Sequence, residues 1–64
     1  MTETEYLNPE QAGEYLHMTV GHLAQLRYRG EGPRYLKPTA KTVLYRRGDL
    51  DGWLNASTVE PGVA

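Results

Sequence analysis

Residues 12–23 read Ala12-Gly13-Glu14-Tyr15-Leu16-His17-Met18-Thr19-Val20-Gly21-His22-Leu23, two apolar-periodic segments parted by three residues. Upstream, Leu7-Asn8-Pro9-Glu10-Gln11 supplies an N-cap (Asn8), a proline at the first helical position and a capping-box glutamine, so a helix is expected to begin at Pro9. Ala12, Tyr15 and Leu16 recur at i, i+3, i+4 and turn one stripe inward, leaving Glu10 and Glu14 outside. Thr19 caps a second helix that runs to Arg29, with Met18 and Leu23 at hydrophobic-staple spacing. So short a link makes the helices cross steeply, as in a helix-turn-helix. His17 falls where the chain needs a left-handed C-cap, which makes it a turn residue and not a ligand.

Gly30-Glu31-Gly32-Pro33-Arg34 ends the second helix. Two strands are expected, Arg34–Lys37 and Thr42–Arg46, flanking a basic, flexible tip at Pro38-Thr39-Ala40-Lys41. Gly48–Leu54 reads as a third helix through Leu50, Trp53 and Leu54. The expected organisation is one mainly α domain with a small β-hairpin over residues 1–56, followed by a flexible tail, 57–64. Leu16, Leu23, Leu26, Leu36, Leu44, Leu50, Trp53 and Leu54 form the expected core. Each is worth about 1.5–3 kcal/mol when buried, so Trp53→Ala is expected to unfold so small a domain. Tyr6, Tyr15, Tyr35 and Tyr45 are expected at the core edge with wet hydroxyls, and Tyr28 on an exposed face.

The chain has 64 residues, seven Lys+Arg, eight Asp+Glu and a net charge of −1. That average hides an order. Residues 1–16 hold four acids (Glu3, Glu5, Glu10, Glu14) and no base. All seven bases (Arg27, Arg29, Arg34, Lys37, Lys41, Arg46, Arg47) lie in residues 17–48 against the single acid Glu31, and Asp49, Asp51 and Glu60 follow. A basic block between acidic ends points to a polyanion partner. Catalysis is not expected. His17 and His22 lack metal-ligand partners, the lone serine, Ser57, lies in the tail, the glycines form no phosphate-binding fingerprint, and no cysteine is present. Neither a cofactor nor a metal is implied. No signal peptide or apolar run of about 18 residues is evident, so the expectation is a cytoplasmic protein with no membrane partner.

On a helical wheel, Leu23 and Leu26 mark the buried face of the second helix. Gly21, Ala24, Gln25 and Tyr28 lie opposite, bordered by His22 and Arg29 on one side and Val20 and Arg27 on the other. Gln25 suits bidentate contact with adenine, while Gly21 and Ala24 permit close approach to backbone or a thymine methyl. Lys37 and Lys41 bracket the hairpin tip and suit phosphate contact; Arg46 and Arg47 have Asp49 and Asp51 as alternative partners.

Four landmarks in order, Leu7–Leu16, Thr19–Leu23, Gly30–Tyr35 and Leu44–Leu54, resemble the excisionase-like branch of the MerR-type winged-helix domains over about three quarters of the chain. The most specific is Leu44-Tyr45-Arg46-Arg47-Gly48-Asp49-Leu50-Asp51-Gly52-Trp53-Leu54. The resemblance implies a winged helix-turn-helix that binds double-stranded DNA. Its recognition helix would contribute Thr19, Val20, Gly21, His22, Gln25, Arg27, Tyr28 and Arg29, and its wing Arg34, Lys37, Thr39, Lys41, Thr42 and Arg46. Val20, Gly21 and Ala24 depart from the long polar side chains that the family often places early in this helix. The implied function is that of a phage or prophage excisionase, in a host bacterial cell. Several cooperative copies would bind and bend attachment-site DNA and direct an integrase toward excision, and the acidic ends could meet the basic middle of a neighbouring copy head to tail. A promoter-binding regulator of the same fold, or a protein-interaction module such as an antitoxin, are the alternatives.

Overall fold

A computed structural model describes residues 5–62; Glu3 and the end of the tail, Val63 and Ala64, lie outside them. The element order is β1 (Tyr6–Leu7), α1 (Pro9–Leu16), α2 (Val20–Arg29), β2 (Leu36–Thr39), β3 (Thr42–Arg46) and α3 (Arg47–Ala56). Three helices and a three-stranded antiparallel sheet of order β1-β3-β2 make a mixed α/β domain.

Local chemistry at the first two helices follows the sequence closely. The Gln11 N–H donates to Asn8 Oδ1 at 2.8 Å and the Asn8 N–H to Gln11 Oε1 at 3.0 Å, so the capping box is complete. His17 closes α1 at φ 60°, ψ 43°, in the left-handed region, and is the one described non-glycine residue with positive φ. That turn brings the Met18 N–H to Gly13 O at 2.8 Å. It also presses the chain onto α1: a Cβ on Gly13 would lie 2.6 Å from the Met18 carbonyl oxygen. Glycine is therefore required at 13 by close approach and not by its own dihedrals. Thr19 Oγ1 accepts the His22 N–H at 3.0 Å and starts α2.

The sheet differs from expectation in three ways. β1 joins it, with Tyr6 opposite Arg46 and Leu7 opposite Tyr45, which makes β3 the central strand and not half of an isolated hairpin. β2 is shifted two residues later than expected, to Leu36–Thr39, and its register with β3 slips between Leu36 (opposite Leu44) and Thr39 (opposite Thr42). Pro38, which has no N–H to give a ladder, is accommodated at that irregularity on an edge strand. The tip then narrows to Ala40-Lys41. Neither residue has the positive φ of the usual primed hairpin turns, and side chains close it instead. Thr39 Oγ1 donates to Thr42 Oγ1 at 2.8 Å and accepts the Lys41 N–H at 3.3 Å.

The core comprises Leu7, Ala12, Leu16, Leu23, Tyr45 and Leu50, with Met18, Val43 and Trp53 packed against it. This corrects the expected core. Tyr45 is fully buried, because the strand that carries it is central and covered by α1 and α3. Leu26, Leu36 and Leu44 are half-buried, and Leu54 is 40% exposed. α3 begins one residue early, at Arg47, and turns Leu50 and Trp53 inward, where Trp53 Nε1 donates to the Glu31 carbonyl at 3.2 Å; Leu54 stays outside the core cluster. On the other side of α3, Asp51 accepts a hydrogen bond from the Tyr15 hydroxyl. That bond to a carboxylate, reinforced by desolvation and by the carboxylate's negative charge, raises the Tyr15 phenol above its ordinary pKa of 10.0. The link is therefore intact at neutral pH and is lost as pH rises through the raised value. Arg47 pairs with Glu5 at 3.1 Å, not with Asp49 or Asp51.

Two pairs of substitutions separate these forces. Gly13→Ala should destabilise by about 1–3 kcal/mol through overpacking, whereas His17→Gly should stabilise by a few tenths to about 1 kcal/mol by relieving the left-handed cap. Leu50→Ala and Trp53→Ala should each cost about 2–5 kcal/mol, enough to unfold a domain of this size. Urea titration followed by circular dichroism measures all four.

Candidate nucleic-acid interface

α2 exposes Val20, Gly21, His22, Gln25, Tyr28 and Arg29, and Tyr28 is 94% exposed. Such a fully exposed tyrosine on a ten-residue helix contributes nothing to the core, so its apolar ring is available to a partner. Tyr28 and Ala24 line one open groove together with Tyr35, Lys37, Lys41 and Val43. Folding thus brings the exposed face of α2 beside both lysines of the hairpin, with no carboxylate among the groove's residues. Lys37, Lys41, Arg29 and Arg34 make no ion pair among the described residues.

Other candidates are placed differently. Thr19 is engaged as a cap and, with Val20, lines a separate recess at the start of α2 that also holds Glu10, Glu14 and His17. Carboxylates at that end disfavour a phosphate there. Thr39 and Thr42 are bonded to each other at the tip, which makes them builders of the turn. Arg46 is tied to Asp49 at 3.3 Å and, with Arg34, lines a cleft beyond the end of α2.

Arg27 is the candidate whose position changes most. The wheel puts it at the border of the exposed face, yet it is half-buried. Its Nη1 donates to the Tyr45 hydroxyl at 2.8 Å and its guanidinium lies 5.9 Å from the centre of the Tyr35 ring. The two rings are 6.3 Å apart and tilted by 52°. A guanidinium hydrogen-bonded to one phenol and stacked near another ring ties the middle of α2 to the base of the hairpin. Sequence reasoning missed Tyr35 and Tyr45 as parts of this arrangement. The available signal was the alternation of β3, where Val43 and Tyr45 share a face.

The described residues contain no cluster of three His, Asp or Glu that could hold a metal, and no helix long and apolar enough to cross a membrane. No family model matches the chain, and neither does any curated protein.

A double-mutant cycle with Arg27→Gln and Tyr45→Phe should show a coupling of about 1 kcal/mol in unfolding free energy. A value indistinguishable from zero would mean that the 2.8 Å contact carries no weight in solution.

Proposed function

We propose that this protein binds double-stranded DNA as a winged helix-turn-helix, with α2 in a major groove and the β2–β3 hairpin lying along the flanking backbone. The observation that carries this reading is the acid-free groove in which Tyr28 and Ala24 of α2 adjoin Lys37 and Lys41 of the hairpin. Gln25 then reads a base edge, adenine by preference, while the small side chains of Gly21 and Ala24 let the helix sit deep. The carboxylates of α1 stand at the other end of α2 and so orient the protein on its polyanion.

Within that reading the biological role is that of an excisionase. Copies on adjacent sites bend attachment-site DNA and bias a phage integrase toward excision and away from integration. A single small domain buries only about 600–1,000 Å² on DNA, so useful discrimination needs several copies. The acidic first helix of one copy and the basic middle of the next supply a head-to-tail contact for that purpose.

Affinity for duplex DNA should fall by about 0.9 log unit per phosphate contact for each tenfold rise in salt. Lys37→Gln with Lys41→Gln should therefore lower the slope of log affinity against log salt by about 2. Gln25→Ala should leave that slope unchanged while costing about 1–3 kcal/mol of discrimination at one base pair. An integrase assay on attachment-site DNA tests the role: addition of the protein is expected to restore excision and suppress integration. A flat salt profile would remove the DNA reading, and salt-dependent binding without any effect on the integrase would leave a promoter-binding regulator.

A further inference from the structure

Beyond the C-terminal end of α2 lies a second depression, of about 360 Å³, lined by Leu26, Arg27, Gly30, Pro33, Arg34 and Arg46 among others. It draws three arginines from three different elements: Arg27 from α2, Arg34 from the loop before β2 and Arg46 from the end of β3. No carboxylate lines it. Asp49, the partner of Arg46, lines the adjoining recess.

Three arginines line one depression and only Arg46 has an acidic partner among the described residues, so the depression carries a net positive charge that an anion relieves. Two of them are also held in place. Arg27 gives one nitrogen to the Tyr45 hydroxyl, and Arg46 gives one to Asp49 at 3.3 Å. A guanidinium has five N–H donors, so each keeps most of its donors while its position is set; Arg34 makes no ion pair among the described residues. Arginines on three elements around one depression suit the several oxygens of a phosphate better than a planar carboxylate, which one guanidinium already satisfies. Arg27 and Tyr35 also border the groove that contains Lys37 and Lys41. The two depressions therefore share a wall, and a strand of phosphates leaving the lysine groove over that wall next meets the arginines.

We propose that the Arg27–Arg34–Arg46 cleft is a phosphate-binding site, and that on DNA it takes a backbone phosphate of one strand flanking the segment beside α2. The source of the phosphate rests on the DNA-binding reading; the chemistry of the cleft does not. The site differs from the lysine groove in being lined by arginines from three elements.

Two experiments test it on the full chain. In the first, inorganic phosphate is titrated in at constant ionic strength against chloride, with the arginine Nε–Hε and the Gly30 and Gly32 amide NMR signals as readout. Saturable shifts specific to phosphate are expected, and Arg34→Gln should weaken them at least about tenfold, as loss of a charged hydrogen-bond donor set implies. Identical responses to phosphate and chloride, or equal shifts spread over the surface lysines, would overturn the site. Arg34 is exposed, and circular dichroism of Arg34→Gln verifies that the fold is kept. In the second, duplexes carry one neutral methylphosphonate at successive positions. One flanking position should weaken wild-type binding, leave Arg34→Gln binding no weaker, and account for a slope change of about 0.9. Phosphate captured by the cleft with strictly additive effects at every DNA position would overturn the DNA backbone as its source. Phosphate captured by a protein that binds no DNA at all would do the same, and would remove the functional reading while the cleft stands.

Discussion

The hydrogen bond from Arg27 to Tyr45 joins parts of the molecule that otherwise touch little. Tyr45 is buried in the middle of the central strand, with α1 and α3 packed against that strand. Its hydroxyl is the polar end of a large apolar side chain and needs a partner once it leaves water. Arg27 provides that partner from α2, whose main packing is against α1, and leans on Tyr35 at the base of β2 as it does so. One arginine therefore satisfies a buried phenol and sets the distance between the exposed helix and the hairpin.

That spacing opens the groove between α2 and the hairpin. If the helix tilted away from the sheet, Tyr28 and Lys41 would cease to share a surface, whatever their own chemistry. The turn before α2 contributes to the same geometry from the other side. His17 in a left-handed cap and the bare Cα of Gly13 allow the Met18 carbonyl to come within contact of α1, which fixes where α2 starts. Trp53 closes the far end by holding the Glu31 carbonyl, so the loop carrying Pro33 and Arg34 is tied to α3. Apart from Arg27, which also lines both depressions, none of these contacts involves a group proposed to face DNA. They are positional, and the charges act through them.

Charge order along the chain has a spatial counterpart. The lysines of the hairpin and the arginines beyond α2 occupy two depressions with a common wall at Arg27 and Tyr35, and the carboxylates Glu10 and Glu14 occupy a recess at the opposite end of α2. A net charge of −1 is compatible with a strongly basic face because the compensating acids sit on other elements. Among the described residues, ion pairs join Arg46 to Asp49 and Arg47 to Glu5, both on the surface and worth little in water.

The first two helices with their N-caps, the core of the third, the left-handed turn at His17 and strand β3 were legible in the residues, because each depends on neighbours within four positions. A capping box, a staple or an i, i+4 stripe is complete in the local chain. The exposed residues of α2 were legible for the same reason, apart from Arg27 and Ala24, which are half-buried. Tertiary structure alone decided the rest. β1 is two residues long and has no periodicity to read; only pairing with β3 makes it a strand, and that pairing moves Tyr45 from the edge of the sheet to its centre. Once Tyr45 is central its hydroxyl must be bonded, which draws Arg27 inward and away from the role that the wheel assigns to it. Leu54 is left exposed by the same logic, since a helical stripe says which residues share a face and not whether another element covers it. The difference is one of range: short-range hydrogen bonding writes itself into sequence, whereas burial depends on partners about 18–40 positions away in this chain, as at Arg27–Tyr45, Trp53–Glu31 and Leu7–Tyr45.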